Sequence, residues 1–325
     1  MTLPIILKKN GGKSRSEIRV LVAIEGAVLA ISREYFSNKG FLEVTIPHIT
    51  KATGSCENMD TVFDLDYFGH RAYLLQTGQL FLELLTPILG RVWCYGPSFR
   101  AEPKVDKRHL TEFGLVEMEF CGSFEQLLSH MENLISAIVT QMLRLRLKEL
   151  EVLNVNYHEL QKIRPPFKRV TYEQATKILG ITWGKDLKRQ QEAILVEKFG
   201  GKPLIITHHP ERMKFFNMKT NDNDPRVVNS ADLILPFSGE AIGAAERETE
   251  YEKVYQKLEK STTLKQLQKR GGSIKDFMWY LNHLKQGSLP HSGFGMGVNR
   301  VTQFLLGRND IRMSTTFALN RQTVM

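Results

Sequence analysis

Phe99-Arg100-Ala101-Glu102, then Arg108-His109-Leu110-Thr111-Glu112-Phe113, then Glu117-Met118-Glu119: this stretch decides how the sequence folds. Two cationic and polar clusters flank what reads as a hairpin loop, and a strand follows the aromatic. Period-two alternation in that strand puts Glu117 and Glu119 on one face, opposite Met118 and Phe120. Arg100 and His109 are suited to phosphate oxygens through charge-assisted hydrogen bonds. Phe113 offers a face for a purine. Two adjacent carboxylates call for a cation, either an ammonium or a metal. On spacing alone, a surface hairpin laced with salt bridges is the favoured reading.

Working outward, apolar residues recur at Ile18, Leu21, Ile24, Val28, Ile31 and Tyr35, the mark of an amphipathic helix over residues 16–39, stopped at Gly40. Phe41 to Ile46 reads as a strand ended by Pro47. Further short strands are expected at 72–76, 92–95, 115–120, 204–207, 232–237 and 240–245. Ser123 with Gln126 forms a capping box that opens a long helix. Residues 150–200 read as mixed and helix-rich, and a charged helical stretch spans about 246–269. The strands are short, irregularly spaced and mostly not separated by single helices. That pattern predicts an α+β fold, a mainly antiparallel sheet flanked by helices.

Near the C-terminus, Gly293-Phe294-Gly295-Met296-Gly297 precedes Val298-Asn299-Arg300. Alternating glycines let another chain or a nucleotide come close to a strand. Asp232 and Glu240, on adjacent predicted strands, suit a magnesium ion bridging nucleotide phosphates. Each of these features, taken singly, is more often structural. Gly11-Gly12-Lys13-Ser14 imitates a phosphate-binding loop, but the further glycine such a loop requires is replaced by Leu7, whose side chain obstructs the cradle.

Bulk properties narrow the class. The 325 residues are 42% hydrophobic and 24% charged, enough for one large domain or two modest ones. No run approaches the roughly 18 apolar residues of a membrane helix. Leu3 to Leu7 is too short for a signal peptide and its charges follow it, so a cytoplasmic protein is expected. Cys56, Cys94 and Cys121 are odd in number and widely spaced, against a disulfide framework or zinc site. The net charge of +9 suits a polyanionic partner such as nucleic acid or nucleotide phosphates.

The three blocks, in this order, resemble the signature motifs of class II aminoacyl-tRNA synthetases, most closely the asparaginyl/aspartyl branch. Phe41 to Pro47 resembles motif 1, Phe99 to Glu119 motif 2, and Gly293 to Arg300 motif 3. The resemblance implies a lead-in over residues 1–16 and one catalytic domain over 17–325, with a poorly matched stretch near 150–200. It implies catalytic roles for Arg100 and Arg300. The implied ATP site comprises Arg100, Glu102, Arg108, His109, Leu110, Phe113, Glu240, Gly297 and Arg300. Within it, Glu102 would meet the adenine amino group, Phe113 would stack on adenine, Arg300 would hold the γ-phosphate on the other adenine face, and His109 would reach the distal phosphates. Asp232 and Glu240 would ligate Mg2+. Glu57, Gln79, Glu83, Glu117 and Arg247 would bind the amino acid, with Gln79 and Glu117 on its ammonium. The implied assembly is a homodimer through motif 1.

The side-chain pocket can be read further. Where aspartyl enzymes carry a lysine three positions after the glutamine, this chain has Leu82, followed by Glu83. Glu83 can only accept hydrogen bonds and Arg247 can only donate, which together complement an amide. Asparagine is therefore favoured over aspartate. Two departures from the family pattern bear on the substrate: Asn299 replaces the usual acidic residue, and Ala244 and Ala245 replace glycine or serine. The motif 1 helix begins near residue 17, which leaves no room for an anticodon-binding barrel, and anticodon reading by this chain alone is not expected. Stand-alone paralogues include an archaeal asparagine synthetase that uses ammonia. The leading expectation is thus an AMP-forming ligase that activates asparagine or aspartate and passes it to ammonia or another small amine. The alternatives are a tRNA ligase acting on the acceptor end and a non-catalytic amino acid sensor.

Overall fold

The computed structural model describes residues 13–52 and 59–323. Helix α1 (Arg15–Asn38) begins at a capping box: the Glu17 N–H donates to Ser14 Oγ at 3.2 Å and the Ser14 N–H to Glu17 Oε2 at 2.8 Å. Its buried stripe holds Leu21, Ile24, Val28, Ile31 and Tyr35, as the periodicity predicts. The next strand, β1 (Leu42–Glu43), is far shorter than the expected 41–46. It makes one more bond, Val44 N–H to Trp93 O at 2.9 Å, and the chain then leaves the sheet.

There follow β2 (Ile49–Thr50), β3 (Asp64–Tyr67), β4 (His70–Leu74), α2 (Gln79–Leu89), β5 (Arg91–Phe99), β6 (Glu112–Cys121) and α3 (Phe124–Leu145). The middle of the chain forms α4 (Leu147–Val152), α5 (Tyr157–Gln161), β7 (Lys168–Thr171), α6 (Tyr172–Leu179), α7 (Arg189–Lys198), β8 (Leu204–Thr207) and β9 (Ser230–Leu235). The last part forms β10 (Gly239–Glu246), α8 (Tyr251–Lys260), α9 (Thr262–Lys269), α10 (Met278–Lys285), β11 (His291–Gly297) and α11 (Val298–Leu305). The charged stretch after 246 is therefore not one helix. Glu246 ends a strand, and Ser261 caps α9 and separates it from α8. The capping box at Ser123 opens α3 as expected. No helix among the described residues is long and apolar enough to cross a membrane.

The main sheet has eight strands in the order β1-β5-β6-β11-β10-β9-β8-β7. Its pairs are antiparallel except β1 with β5 and β7 with β8. The expected mainly antiparallel α+β architecture is what forms. Strands β2, β4 and β3 make a separate small sheet.

One face of the main sheet is covered by α1 and α3. There Met118, Phe120, Phe294 and Met296 pack with Ile24, Ile31, Leu134 and Ile138 in the central core. Alternation sends the neighbours of those residues to the opposite face. Register then sets them in a row: Glu117 lies opposite Gly295, Gly295 opposite Gly243, and Gly243 opposite Asp232. Two carboxylates with two glycines between them make a trough across four strands, because nothing projects from the middle of the row. Cys94 and Cys121 are free thiols, and Cys56 lies outside the described residues.

Candidate active site

The trough is the floor of a cavity of about 410 Å³. The β5–β6 hairpin brings Arg100, Arg108, His109, Leu110 and Phe113 onto its wall; α2 brings Gln79; β6 brings Glu117. Asp232, Glu240, Arg247, Gly297 and Arg300 complete it. A larger cavity of about 770 Å³ lies between α5, α7 and α11, but it holds none of the residues singled out in the sequence.

At the cationic end, the Arg100 guanidinium lies 4.9 Å from the centre of the Phe113 ring and covers one of its faces. Arg108 Nη2 donates to both Glu192 oxygens, at 3.0 and 3.1 Å. Burial pushes the Glu192 carboxyl up, against the pull of Arg108. Asp106 organises the loop: it accepts the backbone N–H groups of Arg108 at 2.7 Å and His109 at 2.9 Å and lies 2.8 Å from His109 Nδ1. Although burial raises Asp106, these contacts hold it below the usual carboxylate range. Arg300 donates to the Ser238 carbonyl. Burial, and then the charge of Arg108, lower its pKa to about 10.

The acidic pair expected to bind metal is arranged differently from the sequence reading. Both Asp232 oxygens accept from Lys214 Nζ, at 2.8 and 2.7 Å, and His209 Nε2 lies 3.1 Å from Oδ2. Burial alone would raise Asp232, but His209 and Lys214 hold it well below the usual range. Glu240 is exposed to the cavity. Among the described residues no cluster of three metal-ligating side chains exists. These donors fit a magnesium ion carried in with nucleotide phosphates and held by Glu240. They fit a carboxylate pair less well, since an ammonium already sits on Asp232.

At the other end, Glu117 accepts from Thr77 Oγ1 and, at 2.7 Å, from the Gly78 N–H. Burial raises its pKa against these donors. Glu119 lies deeper. Its Oε1 accepts from Arg247 Nε at 3.0 Å, Arg247 Nη2 at 2.6 Å and Gln79 Nε2 at 3.2 Å. Of the two carboxylates, Glu119 thus has the guanidinium of Arg247, 2% exposed, as its cation. Burial, with Glu83 adding to it and Arg247 opposing, pushes Glu119 up to about 8.

Other expectations need correction. Glu83 is buried and off the cavity wall, with both oxygens engaged by the protein: Oε1 by Asn217 Nδ2 at 2.7 Å and Oε2 by the Tyr280 hydroxyl at 2.7 Å. Glu102 is also off the wall, and its N–H donates to the Arg100 carbonyl at 2.7 Å. Glu57 lies outside the described residues. Asn299 is a junction. Its Oδ1 accepts from the Gly114 N–H at 3.1 Å, and its Nδ2 donates to Thr315 Oγ1 at 2.9 Å. An amide can do both, whereas an ionised acid only accepts. Ala244 lines the cavity, while Ala245 packs with Met218 and Val228.

One glycine of β11, Gly293, is explained by a neighbouring carboxylate. A Cβ on Gly293 would run into the Glu119 carboxyl and the Met118 carbonyl. Gly293→Ala should therefore displace Glu119 from Arg247 and cost about 1–3 kcal/mol by overpacking. Urea unfolding would read this as a lower midpoint with unchanged slope. An unchanged midpoint would show that the carboxylate has room to move.

Sequence reasoning missed Lys214, Glu192, Asn217, Tyr280 and His291. Glu192 lies in the stretch that carried no pattern. Lys214 and Asn217 lie in the long connection between β8 and β9, where periodicity gives no signal.

A class of protein follows from this sheet, trough and ring of arginines. A family model described as tRNA synthetases class II (D, K and N) matches residues 12–321, and the chain belongs to that family of ATP-dependent ligases. It is 36% identical over 308 residues to the asparagine–tRNA ligase of Pyrococcus abyssi, covering 93% of this chain and 68% of that protein. To the Pyrococcus furiosus asparagine–tRNA ligase it is 37% identical over 304 residues, covering 91% and 67%. The structure of asparaginyl-tRNA synthetase from Pyrococcus horikoshii complexed with asparaginyl-adenylate superimposes with a TM-score of 0.89 at 32% identity, covering 100% of this chain and 74% of that one. The Entamoeba histolytica asparaginyl-tRNA synthetase gives 0.82 at 28% identity, covering 94% and 68%.

Proposed function

We propose that this chain activates asparagine with ATP as an aminoacyl-adenylate and passes it to the acceptor end of tRNA. The observation that carries the reading is the convergence of Arg100, Arg108, His109 and Arg300 on the cavity whose far end holds Gln79, Glu117 and Arg247. The asparagine α-carboxylate attacks the α-phosphorus and pyrophosphate leaves. No side chain becomes covalently attached. Arg100 holds the carboxylate and α-phosphate together, and Arg108, His109 and Arg300 take the charge of the departing phosphates. Leu110, Phe113 and Gly297 form the walls of the nucleotide site. Magnesium, held by Glu240, would neutralise phosphate charge when bound. The substrate ammonium lies at Glu117 with Gln79, and Arg247 donates to the side-chain carbonyl.

Transfer to tRNA is favoured over transfer to ammonia by the net charge of +9 and by the asparagine–tRNA ligases to which the chain is similar. The same reading includes pairing of two copies through α1 and β1, where Val22 and Leu42 are about half exposed and β1 is the edge of the main sheet. The test is incubation with labelled asparagine, ATP, magnesium and total tRNA. Label made acid-precipitable supports the reading. Label released only as a small amide when ammonia is supplied would instead make the chain an amine ligase.

A further inference from the structure

Four donor groups converge on one carboxylate beneath the cavity, and one of them comes from a residue with no role so far. Asn217 is fully buried and its Nδ2 donates to Glu83 Oε1 at 2.7 Å. An ionised carboxylate only accepts, so the amide nitrogen must face Glu83. The Asn217 backbone is tied to the segment carrying Arg247: its carbonyl accepts the Glu248 N–H at 2.9 Å, and the adjacent Met218 bridges Arg247. On the other oxygen, the Tyr280 hydroxyl donates at 2.7 Å and His291 Nε2 stands 3.5 Å away. Arg247 Nε lies 3.8 Å from Oε1. Glu83 is therefore faced by Asn217 from the β8–β9 connection, Tyr280 from α10, His291 from β11 and Arg247 after β10. Glu119 of β6 and His283 of α10 are the further charged or titratable groups nearby.

Glu83 is 1% exposed and forms no part of the cavity wall, so it acts on a bound side chain only through Arg247. We propose that Asn217 is a positioning residue for side-chain selectivity: by donating to Glu83 it keeps a negative charge beside Arg247, which favours a substrate amide over a carboxylate. The proposal rests on the asparagine reading above. With Glu83 ionised, the guanidinium at the cavity floor is offset, and it offers N–H donors with little surplus positive charge. A carboxylate gains little there over a neutral carbonyl, yet still loses its own hydration. Without Asn217, Glu83 loses a donor to its charged form and, with Glu119 nearby, takes up a proton more readily. The charge of Arg247 is then less well offset, and aspartate gains.

The test is pyrophosphate exchange with asparagine and with aspartate, comparing wild type, Asn217→Leu and Tyr280→Phe. A hydrogen bond to a buried charge is worth about tenfold or more. The ratio of kcat/KM for asparagine over aspartate should fall about tenfold in Asn217→Leu, mainly through a lower KM for aspartate. Tyr280→Phe, which removes the donor on the other oxygen, should shift the ratio the same way. Asn217→Ala repeats the test without added bulk should the leucine variant not fold. An unchanged ratio in the Asn217 variants, with kcat falling equally for both amino acids, would overturn the proposal and make Asn217 a packing residue. A wild type that prefers aspartate, or turns over neither, overturns the asparagine reading itself.

Discussion

Arg247→Leu is expected to abolish amino acid activation and to lower the stability of the fold by on the order of 3–5 kcal/mol. The size follows from what surrounds the guanidinium. It is 2% exposed, makes two bonds to Glu119 and stands 3.8 Å from Glu83. Leucine fills part of the volume but leaves two carboxylates buried beside each other without their cation. They then take up protons or drive the strands apart, and either result disturbs β6 and β10 together. Arg247→Lys should recover part of the stability but little activity, because a point charge cannot span Glu119 Oε1 and the substrate carbonyl as a planar fork does. Urea unfolding and pyrophosphate exchange measure the two effects separately. A leucine variant within 1 kcal/mol of wild type by this measure, with asparagine-dependent exchange intact, would show that Arg247 is neither the counter-ion nor the side-chain contact.

Arg300→Ala should reduce kcat/KM for exchange by about a thousandfold while leaving the fold near wild-type stability. Removing one preorganised donor from a charge-developing centre typically costs 10²–10³, and Arg300 has neighbours that raise the figure. Its guanidinium is held by the Ser238 carbonyl and lies in the field of Arg108, with Glu240 and Glu192 opposing. Burial beside another arginine makes the cation costly to hold in the free protein, and phosphate relieves that cost on binding. Both KM for ATP and kcat should suffer, and lysine should not rescue. Exchange within tenfold of wild type would mean that Arg108 and His109 carry the distal phosphates without it.

Much of this site was legible because the β5–β6 hairpin is local. Arg100, Arg108, His109 and Phe113 are close in sequence, and period-two alternation put Glu117 and Glu119 on one face. Helix α1 was likewise legible from its apolar spacing, and the start of α3 from the capping box at Ser123 and Gln126. What could not be read depends on partners far along the chain. The spacing left open whether the paired acids face an ammonium or a metal, and gave no sign that Glu119 pairs with Arg247, 128 residues further on. For the same reason nothing in the sequence signalled that Glu83 would lie buried off the cavity wall. Its partners Asn217 and Tyr280 lie 134 and 197 residues away and take both its oxygens. Asp232 was recognised, but Lys214 sits in an irregular connection and gave no sign that it would claim the carboxylate. The β11 glycines were expected to let another chain or a nucleotide come close. Gly293 instead admits a side chain of the next strand, a distinction that only the register with Glu119 reveals.

The most direct measurement is exchange of labelled pyrophosphate into ATP, with magnesium, for each of the twenty amino acids in turn. The account predicts exchange with asparagine, at least tenfold below it with aspartate, and none above background with the rest. No exchange with any amino acid, or exchange led by aspartate, would contradict it.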